Sequence, residues 1–83
     1  MVKGKVQGVF FRASAKEKAT EIGITGFTRN QVDRSVYIEA EGRESQLNEF
    51  VSWCKQGPRL AKVESCIVEE GSVVGFGEFV IQR

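Results

Sequence analysis

Phe11, Ala15, Ala19 and Ile22 recur at spacings of four, four and three along the chain. That is the period of a helix buried along one stripe, and the small alanines let it lie close against a neighbouring layer. Gly23, directly after the last of them, predicts the helix's C-terminal stop. Upstream, Val2, Gly4 and Val6 alternate weakly and predict a short strand. Downstream, "ITGFTRN" reads as a short β-rich run. "SVYIEAE" alternates, placing Val36, Ile38 and Ala40 inward and Tyr37, Glu39 and Glu41 outward. The intervening "QVDR" turns the chain, so these two strands form a hairpin. Leu47, Phe50, Val51 and Cys54 then return to helical spacing, with Ser45 as the predicted N-cap and Gly57-Pro58 as the end. Trp53 falls just off that stripe, at the edge of the core.

Beyond the second helix the phase changes. Ala61 and Val63 alternate together, whereas Cys66 and Val68 alternate in the opposite phase, and a one-residue bulge near Glu64 or Ser65 reconciles them. The tail "GEFVIQR" supplies a short last strand with Phe79 and Ile81 inward. The predicted order is β-α-β-β-α-β plus a short terminal strand. With right-handed crossovers this folds as an α+β, ferredoxin-like sandwich, with two helices packed on one face of an antiparallel sheet. All of residues 1–83 read as one domain. Such a fold serves enzymes, metal carriers, RNA binders and regulatory domains alike, so function has to come from particular residues.

Composition narrows the chemistry. A chain of 83 residues buries roughly 60–65% of its unfolded surface and holds one core. Twelve Lys and Arg against eleven Asp and Glu leave a net charge of +1, too little for a global field that would collect nucleic acid or an anionic membrane. An anion has to be caught locally. No apolar run approaches a membrane span and no signal-peptide pattern opens the chain, which reads as cytoplasmic. Cys54 and Cys66 read as two free thiols that pack. Histidine is absent, so Ser-His-Asp triads, Cys-His pairs, phosphohistidine intermediates and most zinc or non-haem iron sites are excluded. No carboxylates stand at metal-ligand spacing.

One stretch stands out against that background. "GKVQGVFFR", Gly4 to Arg12, carries two glycines, three consecutive large apolar residues and an arginine between the first strand and the first helix. A helix start leaves about four amide N–H groups without intrahelical partners and carries roughly half a positive charge, which suits a phosphate. Gly8 lets successive amides turn into one concavity, a nest. Arg12 adds a forked donor matched to two phosphate oxygens. Among Val9, Phe10 and Phe11, one or two anchor the loop in the core, and Phe10 is expected to be partly exposed. The glycine spacing is neither that of a Walker A loop nor G-x-G-x-x-G. On its residues alone the stretch is a possible phosphate cradle or an ordinary tight turn.

Taken together, "GKVQGVFFR", "GITGFTRN", "SVYIEAEG", "FVSWCKQGP", "AKVESCIVEE" and "GFGEFVI" make the chain resemble the acylphosphatase family over nearly its whole length. Two signatures carry the resemblance: V-Q-G-V-x-F-R at Val6 to Arg12, and G-(aromatic)-x-x-N at Gly26 to Asn30. The resemblance implies hydrolysis of the carboxyl–phosphate bond of a small acyl phosphate to a carboxylate and inorganic phosphate, without metal or cofactor. Arg12 matches the family's phosphate-binding arginine, and Asn30 matches the asparagine that orients the attacking water. The backbone amides of Gln7, Gly8, Val9, Phe10, Phe11 and Arg12 match its phosphate cradle. Inorganic phosphate is then both product and expected competitive inhibitor, and a monomer with no nucleic-acid or membrane partner is expected.

That chemistry fits a chain without histidine. A carboxylate is a good leaving group, so the tasks are neutralising phosphoryl oxygens and aligning a water. A carboxamide such as that of Asn30 holds a water's orientation without being a base. Gln7 is expected to act through its backbone amide rather than a side-chain contact, Arg29 is expected to be a solvated strand residue rather than a second phosphate clamp, and Thr25 and Ser14 are candidates for supporting hydrogen bonds. Two places depart from the family pattern. Only Met1 to Lys3 precede Gly4, which predicts either a shortened first strand or a trimmed start, and Asp33-Arg34-Ser35 sets a non-glycine in the hairpin where positive φ is often wanted. Two other readings compete. One is a catalytically inactive domain that binds phosphate or a partner. The other is an RNA-recognition module, suggested by element order and by "VGFGEFVI", but Glu78 interrupts its aromatic register and no basic surface is expected.

Overall fold

The computed structural model describes residues 1–71 and 74–82. In order these form β1 (Val2–Lys5), α1 (Phe11–Ile22), β2 (Thr25–Asn30), β3 (Val36–Glu41), α2 (Glu44–Gln56), β4 (Lys62–Cys66) and β5 (Phe79–Ile81). The strands make one sheet in the order β4-β1-β3-β2-β5. β1 runs antiparallel to β3 and β4, and β2 antiparallel to β3. The α+β sandwich expected from the periodicity is present, with one difference. β5 pairs parallel to β2, because the chain reverses after β4 and returns along the opposite edge. Arg83, the end of the predicted terminal run, lies outside the described residues.

The core sits between the two helices and the sheet. Phe11, Ala15 and Ala19 of α1 are buried, as are Phe50 and Cys54 of α2, against Val2, Val6, Val36 and Phe79. The alanines let α1 approach the sheet closely, and Gly23 ends the helix by donating its N–H to the Ala19 carbonyl at 2.9 Å. Trp53 lies at the core edge, its ring 5.4 Å from that of Phe11 and 6.1 Å from that of Phe50. Burial pushes the Cys54 thiol up to about 12, and both cysteines are free.

The bulge falls where the phase change placed it. Lys3 faces Ser65 and Gly4 faces Val63, so Glu64 is the extra residue. Gly4 makes this possible: its φ is +128° and a Cβ there would lie 2.2 Å from the Lys62 carbonyl oxygen. The strand then stops at Cys66 rather than continuing through Val68, which is exposed. The last rung pairs Ile67 with Met1. The start of α2 also differs from expectation. Arg43, not Ser45, is the N-cap, because the Gln46 side chain reaches back to accept the Arg43 N–H at 2.8 Å and donates to the Ile22 carbonyl at 3.0 Å. One residue thus caps the second helix and ties it to the end of the first.

The sheet face away from the helices carries its own small cluster. Phe27 packs against Tyr37 and Phe76, and the Arg29 guanidinium lies 4.8 Å from the Tyr37 ring centre. The Glu41 carboxylate gathers the N–H groups of Val74, Gly75 and Phe76, which holds its carboxyl below the ordinary value of 4.5. A depressed folded-state value means stability that is present above the unfolded value and is lost as pH falls through the folded one. Thermal unfolding followed across pH 5 to 3 is therefore expected to show a falling Tm in the parent and a shallower fall in Glu41→Gln.

The β2–β3 hairpin bears the unusual turn. Arg34 has φ +73°, and the Asp33 carboxylate accepts the Ser35 N–H at 3.0 Å and its hydroxyl at 2.5 Å. A side chain in the left-handed region costs about 1–2 kcal/mol, partly offset by the greater unfolded-state freedom of glycine. Arg34→Gly is expected to raise Tm by roughly 2–5 °C.

Candidate active site

β1 and β2 both oppose β3, so they run in one direction, and β5 runs with β2. Their C-terminal ends therefore meet at one end of the sheet, as does the start of β4, whose Lys62 pairs with Lys5. The loop that follows β1, the last residue of β2, the β2–β3 hairpin and the α2–β4 connection all gather there.

In the first of these segments, Val6 and Val9 are buried and Phe11 is 1% exposed, so these three side chains pin the loop from below. Burying one such phenyl ring stabilises by about 2–3 kcal/mol. Phe10 points the other way and is 73% exposed. Gly8 and Phe10 have φ of +73° and +62°, while Val9 between them does not take positive φ. Alternation of this kind curls successive N–H groups toward a common side. A Cβ built on Gly8 meets no heavy atom within 4 Å, so glycine is needed there for its backbone angle and not for room. Among the described residues, no N–H from Gln7 to Ala13 donates to a protein acceptor, and the first turn of α1 holds no acidic residue. The arc is an array of free donors at the positive end of a twelve-residue helix.

Arg12 is in that first turn, on the side toward β5. Its Nη1 donates to the Gln82 carbonyl at 3.3 Å, and no carboxylate pairs with it among the described residues. One weak bond therefore steers the guanidinium toward the strand ends and leaves most of its donors available. Asn30 closes β2 directly opposite Val36. Directly paired residues of antiparallel strands share a face, and Val36 lies in the helix-covered core, so Asn30 stands on the helix-bearing face. It is exposed because it lies at the strand's end.

Gln7 makes a side-chain contact, the less favoured alternative from the residues alone, to partners its sequence does not indicate. Its side-chain Nε2 donates to the carbonyls of Gln31 and Ser35, at 2.9 and 3.0 Å. The loop after β1 is thereby tied to the hairpin that follows Asn30. The partners are main-chain oxygens 24 and 28 positions away, which no local pattern signals. Thr25 and Ser14, by contrast, make no side-chain hydrogen bond among the described residues. Arg29 is exposed but stacked on Tyr37, on the opposite face from Asn30. No three of Cys, Asp and Glu cluster in metal-binding fashion among the described residues, and no described helix is long and apolar enough to cross a membrane.

Known proteins share both this sequence and this architecture. The family model described as acylphosphatase matches residues 1–81. An acylphosphatase of Methylococcus capsulatus is 45% identical over 84 aligned positions, covering 100% of this chain and 91% of that protein. One of Thermus thermophilus is 46% identical, covering 95% of this chain and 90% of its own. The solved structure of an acylphosphatase from Coxiella burnetii superposes with a TM-score of 0.94 at 36% identity, over 98% of this chain and 85% of that one. On these likenesses of sequence and fold, the chain belongs to the acylphosphatase family of hydrolases.

Proposed function

We propose that this chain hydrolyses acyl phosphates by holding the phosphoryl group in the arc of amides from Gln7 to Arg12, beneath the Arg12 guanidinium, while Asn30 orients the attacking water. The observation that carries this reading is the gathering of three features at one sheet end: amides and an arginine that, among the described residues, have no acceptor and no carboxylate partner respectively, and an exposed carboxamide. The amides and Arg12 offset charge on the non-bridging oxygens. The Asn30 carboxamide accepts from the water and fixes its approach in line with the carboxylate leaving group. As the water oxygen bonds to phosphorus, the bond to the acyl oxygen breaks with its electron pair. The water's proton passes to a phosphoryl oxygen of the substrate, so no side-chain base takes part. The products are a carboxylate and inorganic phosphate, with no metal or cofactor required. A monomer working in the cytoplasm completes the proposal.

The test is hydrolysis of benzoyl phosphate with and without a strong chelator, titrated with inorganic phosphate. Expected are turnover that the chelator does not alter and competitive inhibition by phosphate. Phosphate binding without turnover would instead establish the inactive binding domain, and loss of turnover on chelation would refute metal independence. Sedimentation at several concentrations reads the monomer.

Gln7 supplies a sharper check on the geometry. Gln7→Met keeps the side chain's length and removes both donors to the hairpin. If the clamp sets the spacing between the amide arc and Asn30, kcat falls about tenfold while phosphate inhibition is retained, since misplacement of reacting groups costs rate before it costs binding. Equal loss in both would assign Gln7 to the cradle itself.

A further inference from the structure

The hydrolase reading leaves the acyl end of the substrate unplaced, and the same end of the sheet contains an unassigned groove. Resting on that reading, we propose that this groove receives the acyl group and selects acyl phosphates whose acyl group is aromatic or bulky and apolar. The groove has a volume of about 300 Å³ and is lined by Val9, Phe10, Ser14, Pro58, Arg59 and Leu60. One wall is the cradle loop itself. With its phosphoryl group against the amides of Val9 and Phe10, a substrate has this wall beside it, and in this proposal its other end enters the groove. The opposite wall is the α2–β4 connection, brought there by the pairing of Lys62 with Lys5 and by Gly57, whose Cβ position is 3.0 Å from the Phe11 ring.

The exposure of the walls is the second observation. Phe10 and Leu60 are 73% and 59% exposed, two large apolar side chains standing in water on either side of one depression. Phe10 also holds φ +62°, an unfavourable conformation for a side chain bearing a Cβ. Its position is the open x of V-Q-G-V-x-F-R, so phosphate capture by main-chain amides does not call for an aromatic ring there. Strain and exposure accumulated at a functional loop point to a ligand that covers them. Four of the six lining residues are apolar, which fits a benzoyl-sized group better than an acetyl or a charged one.

The experiment compares kcat/KM for benzoyl phosphate and acetyl phosphate in the parent chain, Leu60→Ala and Leu60→Trp, with the phosphate inhibition constant measured in each. Taking the benzoyl-to-acetyl ratio between proteins cancels the intrinsic difference in leaving groups. Partial burial of one ring against Leu60 corresponds to about fivefold in that ratio. The ratio is expected to fall by about that factor in Leu60→Ala and to rise in Leu60→Trp, with phosphate inhibition retained in both. The proposal is overturned if the ratio stays within about twofold of the parent's in both variants, or if phosphate inhibition weakens in step with it, which would make Leu60 a support for the loop. It is also overturned if succinyl phosphate is preferred to benzoyl phosphate and Arg59→Gln abolishes that preference, since the groove would then read charge. Failure of the parent to hydrolyse any acyl phosphate would strike the hydrolase reading instead, a result separable from these.

Discussion

Arg12→Ala is expected to fold normally and to lose at least about a thousandfold in kcat/KM toward benzoyl phosphate, with inhibition by inorganic phosphate lost alongside. The fold should survive because, among the described residues, the Arg12 side chain makes a single exposed hydrogen bond, 3.3 Å long, to the Gln82 carbonyl. The chemistry should not survive, because amide dipoles alone cannot replace a full charge set beside the transferring group. Arg12→Lys is the more informative variant. It keeps the charge but replaces a planar fork with a point donor on a flexible stem, and recovery of only a small part of the activity is expected. Near-parental turnover in either variant would remove Arg12 from the mechanism. A large fall in Tm would show instead that the contact with Gln82 holds β5 in place.

Asn30→Ala is expected to separate binding from turnover. The side chain is exposed at the end of β2 and the residue's pairing with Val36 is a backbone matter, so Tm should barely change. The cradle and Arg12 remain, so the phosphate inhibition constant should stay within about threefold. kcat should fall about 100- to 1,000-fold, the usual consequence of removing one preorganised polar group acting at the transition state. Asn30→Asp sharpens the distinction. Its carboxylate would repel the phosphoryl oxygens, so binding and turnover should both suffer. A loss confined to phosphate affinity in Asn30→Ala would mean that Asn30 grips the phosphate and that some other group orients the water.

Much of the architecture was legible along the chain because burial is periodic. Phe11, Ala15 and Ala19 are buried on α1 as their spacing requires, and the β4 phase change placed a bulge near Glu64 or Ser65, of which the register selects Glu64. The hairpin's need for a left-handed residue was visible in Asp33-Arg34-Ser35, and Arg34 adopts that conformation. The misses share one cause. Ser45 lost the capping role to Gln46, whose other contact is the end of a different helix. The direction of β5 depends on which edge the chain returns to. Both are settled by partners distant in the sequence.

The candidate site divides along the same line. Which residue types could hold a phosphoryl group was readable from "GKVQGVFFR" and from the family signatures, since backbone freedom at Gly8, apolar anchoring by Val9 and Phe11, and a forked donor at Arg12 are local properties. Their arrangement was not. That the ends of β1, β2 and β5 meet, that Asn30 stands on the helix side, that Gln7 clasps the hairpin and that Leu60 faces a groove beside Phe10 all follow from strand order and register. The chain by itself determined its elements and its chemical inventory, because propensity and periodicity act within a few residues of one another. Tertiary structure alone decided which of those groups are brought together, because strand pairing joins positions whose separation no local interaction can encode.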